Sequence, residues 1–262
     1  MNNILMALGV IALLGLLASL LLSVASHFMS VKEDEKAKRL RECLPGINCG
    51  ACGYTGCDDY ANALSVGGVK TNLCVPGADT VAADIAEILG VDAEDVVEKI
   101  AIVHCNGTCN AVKEINTYTG VDSCLAKSQL YGGPLACKYG CLGSGDCASV
   151  CPNDAICTKD GVARIDKRKC VGCGLCVSVC PRGIISLVSA VSKTAVLCAN
   201  KDKGATKRKD CTNACVGCKK CENNCPENAI SVINNVAVID YQKCTGCGIC
   251  VEGCPTHSIK KI

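Results

Sequence analysis

Four Cys-Pro steps, each a cysteine followed directly by a proline, stand in the second half of this 262-residue chain. They stand at Cys151, Cys180, Cys225 and Cys254, so they are separated by 29, 45 and 29 residues. A similar short segment begins at each of them, namely CPNDAI, CPRGII, CPENAI and CPTHSI. Self-similarity at a fixed period indicates repeated structural units. The spacing therefore predicts two pairs of short units that are joined by a longer link.

Three of the four steps close a run of cysteines with one common spacing, Cys-x2-Cys-x2-Cys-x3-Cys-Pro. Bacterial ferredoxins bind cubane [4Fe–4S] clusters with this spacing, and the last cysteine of each run ligates the other cluster of the pair. Cysteine thiolates are soft ligands, which suit iron–sulfur clusters. The predicted ligand sets are Cys170, Cys173 and Cys176 with Cys151; Cys215, Cys218 and Cys221 with Cys254; and Cys244, Cys247 and Cys250 with Cys225.

The first repeat has a different spacing, Cys137-x3-Cys141-x5-Cys147 before the step at Cys151. We interpret it as two residues inserted in a glycine-rich loop, and we expect these first three cysteines to share a cluster with Cys180. Strands are predicted at 161–166 and 235–240, which lead into cluster loops and partly alternate between apolar and polar residues. The alternative for all the repeats is a zinc ribbon, although such sites use two Cys-x2-Cys pairs rather than runs of three.

A second cysteine motif lies upstream, where LPGINCGACGYTGC covers residues 44–57 and CVPG covers 74–77. Its cysteines are Cys49, Cys52, Cys57 and Cys74, and we expect them to bind a single [4Fe–4S] cluster. Disulfides and a dithiol redox centre are the alternatives. A helix is predicted at 58–65, after the glycine-rich loop. Apolar residues at helical spacing also predict packing helices at 82–89 and 93–103.

The N-terminal segment carries no Asp, Glu, Lys or Arg from Met1 to Val31, and residues 4–25 are apolar except for two serines. As a helix this stretch is about 33 Å long, enough to cross a hydrocarbon core of about 30 Å. A cleaved signal peptide is the alternative, but no basic residue precedes the apolar run. Basic residues follow the run, and a helix is predicted at 33–41. We therefore expect a single-pass anchor in the cytoplasmic membrane, with the rest of the chain on the cytoplasmic side. The basic residues are Lys32, Lys36, Lys38, Arg39 and Arg41.

The cysteine count and the net charge exclude two classes of protein, a fully disulfide-bonded chain and an electrostatic nucleic-acid binder. The chain has 27 cysteines, an odd number that excludes complete intramolecular disulfide pairing, and a reducing cytoplasm favours metal binding over disulfides. The formal net charge of +2 excludes a mainly electrostatic nucleic-acid binder, so no nucleic-acid partner is expected. Each oxidised cluster with four thiolates adds a charge of about −2, so with five clusters the net charge becomes about −8.

These features predict an α+β chain with five parts. They are an anchor at 1–31, a small α-rich single-cluster domain at 32–104, a linker at 105–134, and two ferredoxin units of two clusters each at 135–195 and 196–262. Five clusters use twenty cysteines. The seven that remain are Cys43, Cys105, Cys109, Cys124, Cys157, Cys198 and Cys211. Of these, Cys105, Cys109 and Cys124 are candidates for a sixth cluster, and the alternative is that they are buried or free thiols.

The chain as a whole resembles the B subunit of the Rnf complex, a membrane-bound ferredoxin:NAD+ oxidoreductase. The resemblance rests on the apolar N-terminus, LPGINCGACGYTGC with CVPG, GCLGSGDC, and the tandem ferredoxin runs. The upstream motif alone is also similar to the iron–sulfur domain of a corrinoid protein. The resemblance implies an electron-transfer subunit that accepts electrons from soluble ferredoxin and passes them towards other subunits and finally NAD+, in a complex that translocates ions.

Neither NAD binding nor ion translocation can be placed in this chain, because no G-x-G-x-x-G follows a strand and the anchor is the only long apolar run. No residue is predicted to be catalytic. A corrinoid-linked or other catalytic iron–sulfur protein is the alternative function, and a zinc-bound or disulfide-stapled membrane protein is a third. A basic stretch, Lys201 to Lys209, is either a docking site for an acidic ferredoxin or a solvated loop.

Overall fold

The computed structural model describes residues 2–28 and 34–262. The first helix, α1 (Asn2–Phe28), contains the whole predicted span at 4–25. Its segment Leu8–Ala25 has a mean hydropathy of 2.6, and none of it is buried against the rest of the chain. By length and composition α1 can cross a membrane. Lys32 and residue 33, which begin the predicted basic flank and the following helix, lie outside the described residues.

Three helices form a small domain after the anchor: α2 (Glu35–Cys43), α3 (Cys57–Val66) and α4 (Ala78–Leu89). The carboxylate of Asp34 caps α2 by accepting a hydrogen bond from the backbone N–H of Lys36. The helices bury Leu40, Leu64 and Ile85 completely at their common core. The helices predicted at 58–65 and 82–89 are confirmed, and the one predicted at 33–41 is confirmed over its described part from residue 35.

The rest of the chain forms two units with the same order of strands. In the first unit, β1 (Lys99–Val103) pairs antiparallel with β4 (Ile185–Ser189), and the hairpin of β2 (Ile156–Lys159) and β3 (Val162–Ile165) lies between them in sequence. In the second unit, β5 (Thr194–Val196) pairs with β8 (Ile259–Lys261) around the hairpin of β6 (Ile230–Ile233) and β7 (Val236–Ile239). The strands predicted at 161–166 and 235–240 are confirmed as β3 and β7.

Six short helices complete the two units. Four of them follow cysteine loops: α6 (Asp146–Ser149), α7 (Leu175–Val179), α9 (Lys220–Asn223) and α10 (Ile249–Glu252). The other two are α5 (Cys124–Gln129) and α8 (Gly204–Asp210), which lie between the first strand of a unit and its first cysteine loop. The mixed helix and strand content confirms the predicted α+β class.

The helix predicted at 93–103 is wrong, because residues 99–103 form strand β1. Its apolar residues have a spacing that suits a helix, but Ile100, Ile102 and Val103 are all buried in the strand. Ile100 pairs with Val188 of β4 and Val103 with Ile185. Packing on both faces of this short strand therefore overrides the local helical pattern. The pairing also makes β1 part of the first unit, upstream of the boundary expected at 135, and turns the expected linker at 105–134 into an insertion within that unit.

Candidate iron–sulfur sites

All 27 cysteines carry free thiols, and four cavities of similar size are each lined by four of them. We name the cavities I to IV, and the spaces that they enclose, adjoining open solvent included, are about 350, 360, 310 and 360 Å³ in that order. The lining cysteines are Cys124, Cys141, Cys147 and Cys180 in cavity I; Cys105, Cys137, Cys198 and Cys211 in cavity II; Cys215, Cys218, Cys221 and Cys254 in cavity III; and Cys225, Cys244, Cys247 and Cys250 in cavity IV.

Cavities III and IV lie in the second unit and bring together the two cysteine sets that the spacing predicts there. The crossed arrangement is present, because Cys254 from the second run lines cavity III and Cys225 from the first run lines cavity IV. The hairpin of β6 and β7 lies between the two runs in sequence, so the chain returns and places each Cys-Pro step at the opposite loop.

The set predicted around Cys151 lies in the first unit, where Cys151 and Cys170 pack against the buried cluster that contains Cys176. Burial raises the pKa of Cys176 to about 11, and the nearby thiols of Cys170, Cys173 and Cys151 act in the same direction. A buried thiol is reluctant to ionise without a neighbouring cation. Iron supplies that positive charge when it binds thiolates, so the buried Cys176 and the half-buried Cys151, Cys170 and Cys173 fit a metal cluster.

The upstream cysteines converge beside the core of the helical domain. Burial raises the pKa of Cys74 to about 11, and the thiols of Cys57, Cys49 and Cys52 add to the rise. Cys57 is the first residue of α3, and its backbone N–H donates to the side-chain oxygen of Asn48 over 2.8 Å. The Gly-rich loop and the start of α3 therefore supply three thiols, and Cys74 completes the group from the segment that precedes α4.

Cavity I differs from the predicted set at one position, because Cys124 lines it and Cys137 does not. Cys124 is the first residue of α5, which Ser123 caps, and the carboxylate of Asp146 bonds to the start of this helix. That carboxylate accepts hydrogen bonds from the Cys124 backbone N–H at 2.9 Å and from the Ser123 hydroxyl at 2.9 Å. Since Asp146 is next to Cys147 in sequence, the cap fixes Cys124 beside the loop. Burial raises the pKa of Cys147 to about 12, with the thiols of Cys141, Cys124 and Cys180 contributing.

Cavity II brings Cys137 together with three cysteines that the regular motifs leave over. The backbone explains why Cys137 lies there, since the Ala136 N–H donates to the Lys113 carbonyl over 2.9 Å and ties this segment to residues 105–114. Cys105 is the only member of the expected trio Cys105, Cys109 and Cys124 at this cavity. Cys109 is exposed and Cys124 lines cavity I.

Backbone N–H groups point at several of the sulfur atoms. The Ala155 N–H donates to Cys151 Sγ over 3.3 Å, and the equivalent Ala229 N–H donates to Cys225 Sγ over 3.4 Å. The Ala101 N–H of β1 donates to Cys170 Sγ over 3.4 Å. Hydrogen bonds of this kind stabilise thiolates and set the reduction potential of a bound cluster.

The thiols surround cavities and do not converge on one point. Among residues 2–28 and 34–262, no group of three or more His, Cys, Asp or Glu side chains is arranged to hold a single metal ion. A zinc ion would draw four thiolates to within about 2.3 Å of itself. A cubane spreads its ligands over the corners of a cluster, and four thiols around one cavity are the number of ligands that a [4Fe–4S] group takes.

The basic stretch at 201–209 contains helix α8, which corrects the expectation of a solvated loop. Lys207 is fully buried, and its Nζ donates to the backbone carbonyls of Cys215 and Asn235 over 3.0 and 2.6 Å. It therefore braces the loop of cavity III and is not available for docking. Arg208 and Lys209 remain exposed on the same helix.

Three family models match parts of the chain. Residues 44–76 match the family described as "Putative Fe-S cluster", residues 163–186 match a 4Fe-4S binding domain, and residues 214–258 match a 4Fe-4S dicluster domain. These matches cover the upstream motif and parts of both ferredoxin units, and they support several [4Fe–4S] clusters in the chain.

Relatives that align over most of the chain show the family to which it belongs. The chain is 41% identical over 244 residues to the B subunit of the Na+-translocating ferredoxin:NAD+ oxidoreductase complex of Acetobacterium woodii, with 93% of this chain and 73% of the relative covered. It is 41% identical over 242 residues to the B subunit of the proton-translocating ferredoxin:NAD+ oxidoreductase complex of Clostridium ljungdahlii, with 92% and 85% covered. This chain belongs to the B subunits of ion-translocating oxidoreductase complexes. The B subunit of the ion-translocating oxidoreductase complex of Methanosarcina acetivorans is 35% identical over 206 residues, or 78% of each chain. The resemblance seen in the motifs is thereby confirmed over nearly the whole chain.

Proposed function

We propose that this chain carries electrons singly from reduced ferredoxin to other subunits of a membrane-bound, ion-translocating complex. The observation that carries the proposal is the repetition of four-cysteine groups through a chain of this family. When bound, a [4Fe–4S] cluster takes up and releases one electron at a time. The relatives' names supply the reaction class, since those complexes are ferredoxin:NAD+ oxidoreductases that translocate Na+ or protons.

The protein's own contribution is to hold each cluster, to shield it from water and to tune it. The groups of thiols in the structure support the regular ligand sets proposed from spacing. These sets are Cys49, Cys52, Cys57 and Cys74; Cys151, Cys170, Cys173 and Cys176; Cys215, Cys218, Cys221 and Cys254; and Cys225, Cys244, Cys247 and Cys250. Cys141, Cys147 and Cys180 hold a fifth cluster in cavity I. The buried N–H donors around the sulfur atoms stabilise the thiolate form that iron requires.

The groups follow one another through the fold, which suits a relay. Burial raises the pKa of Cys173, and the thiol of Cys49 from the helical domain is among the neighbours that add to the rise. The thiol of Cys49 therefore lies within electrostatic range of Cys173. Burial also raises the pKa of Cys147, to which Cys176 of that group contributes. These neighbours support a route for electrons from the helical domain into the first unit.

Helix α1 anchors the relay as a single span in the cytoplasmic membrane. Its apolar composition and its length support a bilayer partner along residues 4–25. The basic residues after it, among them Lys36, Lys38 and Arg39, favour the cytoplasmic side for the cysteine-rich parts. A soluble ferredoxin on that side can then reach the clusters directly.

Rapid mixing tests the proposed donor. The full-length chain, loaded anaerobically with iron and sulfide in detergent, is mixed with reduced two-cluster ferredoxin, and the bleaching of its visible absorbance is followed. We expect reduced ferredoxin to bleach the clusters during the time course of the experiment. We expect no bleaching by NADH, because the chain has no dinucleotide-binding fingerprint. A chain that dithionite bleaches and ferredoxin does not would contradict ferredoxin as the donor.

A further inference from the structure

The four cysteines of cavity II come from equivalent places in the two ferredoxin units. Cys105 lies two residues after the end of β1, and Cys198 lies two residues after the end of β5. The two residues face each other across an isolated antiparallel bridge. In the same way, Cys137 precedes Cys141 by four residues and Cys211 precedes Cys215 by four residues. Each unit therefore contributes one cysteine after its first strand and one before its first cysteine loop.

We propose that cavity II binds a sixth [4Fe–4S] cluster through Cys105, Cys137, Cys198 and Cys211, at the junction of the two units. The proposal concerns cofactor binding by these residues. It stands whether or not ferredoxin is the electron donor.

The chemistry of the cavity fits a cluster. Cys105, Cys137 and Cys211 are buried, and the volume of about 360 Å³ equals that of cavity IV. Among the described residues that line the cavity, none is Asp or Glu. Gly107 lies beside two of the sulfur atoms, since a Cβ there would be in ordinary contact, 3.5 Å from Cys211 Sγ and 3.6 Å from Cys105 Sγ.

Hydrogen-bond donors surround the sulfur atoms of this cavity, as they do at the regular sites. The Gly107 N–H and the Cys141 N–H each donate to Cys105 Sγ over 3.4 Å. The side-chain amide of the buried Asn200 donates to Cys137 Sγ over 3.4 Å. Such donors stabilise thiolates, whereas packing alone would leave a buried thiol neutral.

His104 lines the cavity as well, but it is held elsewhere. Its two ring nitrogens lie 2.7 Å from the Val196 carbonyl and 2.6 Å from the Ser186 hydroxyl. Both nitrogens therefore have partners outside the cavity, and the four thiols are the available ligands.

The cysteine spacing of the two units explains why Cys137 lines cavity II and not cavity I. Cys141-x5-Cys147 has the spacing of Cys215-x5-Cys221, so the first unit has no insertion. Instead, Ser144 stands where the second unit has Cys218. Cys124, held by Asp146, supplies the missing thiol to cavity I from outside the run.

Cavity II borders a cysteine group on each side. On one side, Cys141 of cavity I donates its backbone N–H to Cys105. On the other, Cys198 packs against the buried cluster that contains Cys215 of cavity III. A cluster here would link the two units into one series of six.

Iron and acid-labile sulfide counts on the full-length, anaerobically loaded protein test the proposal. We expect about 24 iron and 24 sulfide per chain, and about 20 of each in Cys105→Ala. The double variant Cys105→Ala/Cys137→Ala should also keep about 20, because both residues serve one site, whereas Cys105→Ala/Cys124→Ala should fall to about 16. Cys157→Ala, at an exposed cysteine that lines none of the four cavities, is the matched control and should keep about 24.

Three results would overturn the proposal. They are an unchanged iron count in Cys105→Ala, a loss of about eight iron in Cys105→Ala/Cys137→Ala, and loss of zinc instead of iron.

If Cys105→Ala fails to fold, Cys198→Ser tests the site in its place, because a serine oxygen can replace a thiolate. We expect either the loss of about four iron or a changed electron paramagnetic resonance signal of one cluster. An unchanged count together with an unchanged spectrum would refute the site. Failure of ferredoxin to reduce a chain with about 24 iron would count against the proposed donor alone.

Discussion

Gly217→Ala in the loop of cavity III should weaken one cluster site through a backbone collision. Gly217 has φ +69°, and a Cβ there would lie 2.8 Å from the Asn235 carbonyl oxygen. Neither atom sits on a flexible side chain, so the loop or the hairpin of β6 and β7 must move. The same carbonyl accepts the hydrogen bond of the buried Lys207, and a shift therefore also disturbs that brace.

A matched control separates the collision from the cost of the backbone conformation. Gly183 has φ +58°, and a Cβ added there would meet nothing within 4 Å. Alanine in the left-handed region costs about 1–2 kcal/mol at either site. Overpacking adds about 1–3 kcal/mol at Gly217 alone. If iron release passes through an opened loop, that difference makes release from Gly217→Ala about 5- to 150-fold faster than from Gly183→Ala.

The assay is anaerobic transfer of iron to a chelator, followed over time. Gly217→Ala should show a fast phase of about four iron atoms, the content of one cluster, while the remaining iron leaves at the rate seen in the control. Equal time courses for the two variants would refute the collision. A fast phase much larger than four would show that the units do not respond independently.

Three further perturbations follow from the described contacts. Lys207→Met leaves the Cys215 carbonyl without its buried donor and should lower the free energy of unfolding by about 2–5 kcal/mol in anaerobic guanidinium titrations. Lys209→Met on the exposed face of α8 should change it by less than about 0.5 kcal/mol, and equal effects would contradict the brace. Asp146→Ala removes the cap that holds Cys124 and should release about four iron on gel filtration, whereas retention of full iron would show that the cap is dispensable. Arg208→Gln with Lys209→Gln should slow reduction by ferredoxin at low salt and leave it unchanged at high salt, and a rate that is the same at low salt would exclude α8 as a docking surface.

The regular cysteine runs could be predicted from sequence because their spacing is set by the geometry of a short loop around a cluster. Cys254 and Cys225 exchange between loops as the spacing predicts. The helices after the upstream motif could also be predicted from sequence, since α3 and α4 carry their apolar residues at helical spacing.

Cavity-lining thiols that depart from the regular runs were harder to predict. Cys124 is held at cavity I by the hydrogen bond of its backbone N–H to Asp146. These two residues are 22 positions apart, so no local sequence pattern predicts the contact. The signal for Cys137 was present but depended on comparing the units with each other, which shows Ser144 in the place of a cysteine and no insertion. Strand β1 was missed because its pairing with β4, more than 80 residues away, decides the conformation of a segment whose apolar spacing also fits a helix.

A membrane-anchored series of [4Fe–4S] sites, filled one electron at a time, should accept a countable number of electrons. The decisive measurement is a titration of the full-length protein with reduced ferredoxin, on samples whose iron, sulfide and zinc have been quantified. We predict about 24 iron and 24 sulfide per chain and about six electrons accepted, one per cluster. Stoichiometric zinc without labile sulfide, or iron that ferredoxin cannot reduce at all, would contradict an electron-carrying role for this chain.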